Sequence, residues 1–168
     1  MNLIKTDKRT IDAIYLHCTA TSPGVPVSVE AIRRYHVDVR GFSDIGYHYV
    51  VQPNGERCSG RLIDRKGAHV LGDNDHSIGV CMVGNWDEAI PTRDDPQIWA
   101  TGELIAKLCV LYDIPPDPWT VILHRDAHKQ RVMVPNPHKS CPGANIESKQ
   151  FVQYIQWHWS RMCEEVSP

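Results

Sequence analysis

Apolar and polar positions alternate between two periods along the chain. Ile11-Asp12-Ala13-Ile14-Tyr15-Leu16-His17 is an apolar run of strand length that ends on a histidine. After the loop Thr21-Ser22-Pro23-Gly24-Val25-Pro26, Ser28 stands as an N-cap with Glu30 in the first turn, predicting a helix through about Val37. Gly41 ends that region. Tyr47-His48-Tyr49-Val50-Val51 is β-rich and is followed by Pro53-Asn54-Gly55, so a hairpin is expected, with a return strand near Glu56 to Cys58. Ser77 to Gly84 is apolar almost throughout, as a strand buried on both faces would be.

Asp95-Pro96 is an N-cap and N1 pair for a long helix whose apolar face carries Ile98, Ile105, Leu108 and Tyr112, with Pro115-Pro116 as its stop. Trp119 to Leu123 predicts a short strand ending at His124, and Asn145 to Glu164 a last helix with Phe151, Ile155, His158 and Met162 on one stripe. Tyr154, Trp157 and Trp159 on that helix are expected in the core. The order is strand, helix, hairpin, strand, helix, strand, helix. It predicts an α/β fold, one domain over residues 1–168 with a central mixed β-sheet flanked by helices.

Composition narrows the function classes. A formal charge of -2 and the lack of a Lys/Arg run argue against a nucleic-acid binder. No apolar stretch nears the roughly 20 residues that span a bilayer, so no membrane insertion is expected. The first nine residues carry no secretory pattern, which predicts a chain that is cytoplasmic as synthesised. Six cysteines are dispersed, with Cys18, Cys81 and Cys109 inside apolar runs, and reduced thiols are expected.

His17 and His124 close two predicted strands, where sites of open α/β sheets are usually assembled. Alternation along a strand lets only one of His17 and Cys18 face such a site. Cys141, on a loop with His138, could complete a His, His, Cys zinc site with a position left for water. Spacing alone leaves another option open: His124-x-x-x-His128 with His138-x-x-Cys141 could hold a structural zinc.

Ile14 to Thr21, Gly41 to Tyr49, His76 to Cys81, His124-Arg125-Asp126 and Lys139-Ser140-Cys141-Pro142-Gly143 follow one another in an order that resembles the type 2 N-acetylmuramoyl-L-alanine amidases. That superfamily includes phage lysozymes of the T7 type and the peptidoglycan recognition proteins. The resemblance covers about residues 11 to 160. It implies one zinc ion held by His17, His124 and Cys141, with Tyr47 and Lys139 as the catalytic pair. It implies hydrolysis of the bond between the lactyl group of muramic acid and L-alanine in peptidoglycan. A phenol and an ammonium suit the charge that develops on an attacked carbonyl. Taken alone, Tyr47 would pass for a half-buried strand residue and Lys139 for a surface lysine.

His36, His69 and Asn74 are the candidates for substrate contact; His36 could equally be a plain polar position on the first helix. Asp126 could orient a ligand or cap a helix. The stretch from Arg125 to Ser140, with His128, Lys129, Gln130 and Arg131, is longer and more basic than in short phage lysozymes, and is expected to rim the cleft. The expected role is that of a phage or prophage endolysin acting on the wall after release, with peptidoglycan or muropeptide as partner and the chain a monomer. The alternatives are a cytosolic amidase that recycles anhydro-muropeptides and a recognition module without catalysis.

Overall fold

The computed structural model describes residues 3–132 and 140–166. In chain order its strands are β1 (Ala13–Cys18), β2 (Tyr49–Val51), β3 (Arg57–Ser59), β4 (Ser77–Met82) and β5 (Val121–Leu123). The α-helices are α1 (Val29–Arg34), α2 (Pro96–Tyr112), α3 (Ala127–Gln130) and α4 (Ser148–Val166). Among the described residues the strands form one sheet in the order β3-β2-β4-β1-β5. β1 runs parallel to both β4 and β5, β2 runs parallel to β4, and β3 returns antiparallel to β2. The sheet is therefore mixed, and β1 and β4 at its centre are buried along their whole length.

Side-chain alternation gives the sheet two different faces. Ile14, Leu16, Val80 and Met82 point to one side, where Leu104, Ile105 and Leu108 of α2 and Phe151 and Ile155 of α4 cover them. Full burial of each such aliphatic side chain contributes about 1.5–3 kcal/mol. Ala13, Tyr15 and Ile122 point the other way, against Val70, Ala127 and Val132. On that side Ile32 of α1 and Val50 of β2 form a smaller cluster with Ile45 and Val83.

The helix ends follow local chemistry. Ser28 Oγ accepts from Ala31 N at 3.1 Å, and Asp95 Oδ1 accepts from Gln97 N and Ile98 N at 2.8 and 3.1 Å. Buried Gln97 then donates to Val51 O and Val83 O, fixing α2 onto the ends of β2 and β4. α2 closes before Pro115, at Asp113, whose φ of 58° is left-handed. The first helix ends earlier than the pattern suggested: after Arg34 one π-helical turn, Tyr35–Val39, takes over. Such turns are frequent at functional sites.

The last helix begins at Ser148, because Asn145 is drawn off to donate to Asp87 O and Ala89 O. Tyr154 is buried on it, whereas Trp157 is exposed and edge-on to Trp99 rather than in the core. Cys18, Cys81 and Cys109 are buried, and all six cysteines are free thiols.

Gly102, midway along α2, faces Tyr154 and His158 of α4. Alanine there improves helix propensity by about 1 kcal/mol. Its Cβ, however, would lie 2.7 Å from Tyr154 Cε1 and 3.1 Å from His158 Cδ2. Overpacking of this kind costs about 1–3 kcal/mol. Gly102→Ala is therefore expected to lower the urea midpoint; a raised midpoint would show that α4 yields.

Candidate active site

Parallel register places the first two candidate ligands. Leu16 pairs with Leu123, so His17 and His124 follow side by side, with ring centroids 4.4 Å apart. His17 shares the face of Ala13 and Tyr15 and is 1% exposed. His124 opens a short 3-10 turn, His124–Asp126, that leads into α3.

Cys141 completes the group from a loop: its Sγ is 4.0 Å from His17 Nδ1. Donor atoms of His17, His124 and Cys141 all lie within 4.8 Å of one another, close enough to share a metal ion. Cys18 packs with the core on the opposite sheet face, yet its free thiol is hydrogen-bonded to that of Cys141. That bond, with burial, pushes the Cys141 thiol well up. A metal cation reverses such a balance, because a coordinating thiol is deprotonated outright.

Two side chains hold the Cys141 loop in place. Arg125, next to His124, donates its backbone N–H to Cys141 O at 2.8 Å and its guanidinium to Gly143 O at 2.6 Å and to Ile146 O. Asp87 accepts from Ser140 Oγ and Ala144 N, both at 2.7 Å, and these bonds lower its pKa. Gly143 backs onto Trp86 with a φ of 139°, where any Cβ would collide with Trp86 backbone.

Around this group lies a cleft of about 980 Å³, lined in part by His17, His36, Tyr47, His69, His124 and Cys141. The Tyr47 ring sits 5.2 Å from the rings of both His17 and His36. Burial, with the thiols around it, pushes the Tyr47 phenol well above its ordinary value, so at neutral pH it is a hydrogen-bond donor. His36, buried on the π turn, accepts from Gly46 N at 2.9 Å and so fixes the backbone just before Tyr47. Burial, then Arg40 and Arg61, lower its pKa.

His69 is buried behind His17, its Nδ1 3.1 Å from His17 Nε2. Asn74 lines the cleft, and its Oδ1 accepts from His69 N and Val70 N at 2.8 and 3.0 Å. Lys139 and His138 lie outside the described residues. The structure thus brings together seven of the eight candidate residues. Asp126 makes no side-chain cap and pairs instead with Lys129 at 3.4 Å. Arg131 turns to Asp73 and Asp12, in a network that also takes the Tyr15 hydroxyl.

Sequence reasoning missed His48, Arg125 and Asp87. His48 is 1% exposed; its Nδ1 accepts from Gly79 N at 3.0 Å while Nε2 lies 3.0 Å from Arg65 O. The strand begins only at Tyr49: Tyr49 and Val51 pack on the α2–α4 side whereas Tyr47 lines the cleft, so strict alternation over 47–51 breaks down and carries no signal for the burial of His48.

Fold and site together define a class: a mixed α/β protein with a His, His, Cys group that could hold a metal ion, open to a cleft. The sequence pattern of the N-acetylmuramoyl-L-alanine amidase family matches residues 7–144, and the chain belongs to that family, the type 2 amidases. It is 41% identical over 81 residues to the endolysin of Escherichia phage T7, a stretch covering 48% of this chain and 53% of that protein. It is 43% identical over 66 residues to the N-acetylmuramoyl-L-alanine amidase of Homo sapiens, covering 39% of this chain and 12% of that one. The matched stretch thus spans about half the length of the phage endolysin.

Among solved structures, the Ph2119 endolysin from a Thermus scotoductus bacteriophage superposes with a TM-score of 0.67 at 26% identity, over 88% of this chain and 85% of that one. The amidase LysC from Clostridium intestinale superposes at 0.72 with 24% identity, over 88% and 87%, and bears on the fold alone.

Two measurements test this geometry. Removing the guanidinium in Arg125→Ala frees the Cys141 loop, and affinity for a divalent metal is expected to fall on the order of tenfold, read by competition with a chromophoric chelator. Burial pushes His48 down to about 4 from an ordinary value near 6.5. The native state therefore favours the neutral ring. The stability it confers is complete above about pH 6.5 and is lost as pH falls toward 4, by about 3 kcal/mol. With chelator present, urea midpoints at pH 7.5 and 4.5 should show this loss. His48→Asn, whose amide oxygen can still accept from Gly79 N, should flatten it.

Proposed function

We propose that the chain is a zinc-dependent N-acetylmuramoyl-L-alanine amidase that hydrolyses the lactyl–L-alanine amide of peptidoglycan in the manner of an endolysin. The observation that carries this reading is the convergence of His17, His124 and Cys141 in an open cleft. Two imidazoles and one thiolate leave a fourth position free, as catalytic zinc requires and structural zinc does not. Zn–S near 2.3 Å and Zn–N near 2.0 to 2.1 Å would set sulfur and nitrogen about 3.5 Å apart. The observed 4.0 Å is one small side-chain adjustment away. Family membership and the endolysin relatives support the same substrate.

Zinc in that position supplies Lewis acidity and a nucleophile from water near neutral pH, the pKa of water falling to about 7. The protein supplies the rest. Tyr47, held against His17 and His36, donates toward the carbonyl oxygen as negative charge develops there, and the ammonium of Lys139 is assigned the same task. The cleft wall formed by His36 and Asn74 is assigned to the peptide stem, with peptidoglycan or a muropeptide as the partner.

The test is release of peptide with new L-alanine amino termini from purified Gram-negative sacculi. Release is expected to stop with a chelator, return with zinc, and be absent from Cys141→Ala. Tyr47→Phe is expected to lower kcat by about 10²–10³ with KM little changed. Cleavage confined to soluble anhydro-muropeptides would reassign the substrate to recycling. Binding of wall fragments without any cleavage would overturn the amidase reading.

A further inference from the structure

The buried histidine behind the metal-binding group has no part in the chemistry described so far. Its geometry fixes where a proton must lie. His17 turns Nδ1 toward Cys141 and Nε2 toward His69 Nδ1, at 3.1 Å. For Nδ1 to offer its lone pair to a metal, neutral His17 must carry its proton on Nε2. The contact at 3.1 Å then has room for one proton, and His69 Nδ1 must accept it.

The surroundings hold the His69 ring in that position. A Cβ on Gly79 would lie 2.6 Å from its Cγ and Cδ2, and one on Gly67 would lie 2.5 Å from its Cδ2. At either glycine an added Cβ would force the ring to shift, so the two form its slot, and Gly79 sits within a strand, where glycine marks close approach. His48 lies nearly perpendicular beyond it, centroids 5.6 Å apart, and accepts from the Gly79 N–H that backs the slot. Asn74 holds the His69 backbone from the other side. His69 Nε2 is buried without a hydrogen-bond partner among the described residues. An orphaned buried N–H costs about 1–3 kcal/mol, so the ring is retained here for something other than stability.

We infer that His69 is a positioning residue for the metal centre and not a substrate contact: it takes the Nε2 proton of His17 and thereby commits His17 Nδ1 to the metal. Asn74 and the Gly67–Gly79 slot are the frame that aims it. The inference rests on the zinc reading given above. Removing such an outer partner typically costs 10–100-fold in metal affinity.

The experiment compares the full chain with His69→Leu, which has no acceptor, and His69→Gln, whose amide oxygen restores one. Zinc affinity is read by competition with a chromophoric chelator, and kcat and KM on a muramyl peptide are read separately. The expected result is one tight zinc in the unchanged chain, a 10–100-fold weaker one in His69→Leu, and recovery of most of that loss in His69→Gln. Unchanged zinc affinity in His69→Leu, with a raised KM, would overturn the inference in favour of substrate contact. If His69→Leu does not fold, the nitrogen NMR of the zinc-loaded unchanged chain decides. A proton on His69 Nε2 with a bare Nδ1 supports the inference, and a proton on Nδ1 overturns it. An unchanged chain that binds no zinc in the same titration overturns the metal reading itself, and the inference with it.

Discussion

Parallel pairing of β1 with β5 is the constraint on which the site depends. Two adjacent parallel strands carry side chains at the same level on the same face, and the Leu16–Leu123 register makes His17 and His124 such a pair. Histidines delivered by strands need no loop to find each other, and strands hold direction more tightly than loops do. The third donor cannot come that way, because the neighbouring strand β4 offers Cys81 where its thiol is fully buried. Cys141 is instead carried in on a loop, and its placement must be secured by polar bonds: Arg125 from the His124 side, Asp87 from the end of β4. One guanidinium beside one ligand thus fixes the backbone of another.

The same sheet face imposes a protonation state. Burial disfavours the imidazolium, and His36, His48 and His69 all have lowered pKa values, with desolvation as the first cause. A metal needs neutral imidazole, so the dry environment that makes these rings costly to protonate also keeps the region ready for a cation. Neutral rings must in turn satisfy nitrogens of opposite character. Gly46 N supplies a donor to His36 and Gly79 N supplies one to His48. Both donors are glycine amides, and neither position has room for a Cβ: on Gly46 it would collide with Ala68 O, and on Gly79 with the His69 ring.

Much of this was legible in the sequence, and what was not has a common cause. Strand positions followed from apolar runs, α2 from Asp95-Pro96 and its apolar stripe, and the hairpin from Asn54-Gly55, because each is a local signal. His17, His124, Cys141 and Tyr47 were singled out through the ordered set of motifs; spacing alone also left open a structural zinc on His124, His128, His138 and Cys141. The π turn after α1 was invisible, since no residue in Tyr35–Val39 forbids an ordinary helix and the turn instead serves to aim His36 at Gly46. Trp157 was misread because a stripe pattern marks a helix face without showing how far the neighbouring helix reaches. Asp87, Arg125 and His48 act through partners 16 to 57 positions away, and period carries no information about those distances.

The two faces of the sheet have separate physical demands. On the α2–α4 side the contacts are apolar, and volume and shape decide what is tolerated. On the site side the sheet is covered by histidines, thiols and glycines, whose value lies in donor geometry more than in area buried. Strands β1 and β4 belong to both sides at once, residue by residue: Leu16 packs under α2 and α4 while His17 faces the cleft. A slip of one residue in either strand would exchange that strand's two sets; in β1 it would bury His17 among leucines and aim Leu16 at the cleft. The apolar core therefore does more than stabilise the fold; by holding Ile14, Leu16, Val80 and Met82 inward it fixes the register that places the ligands.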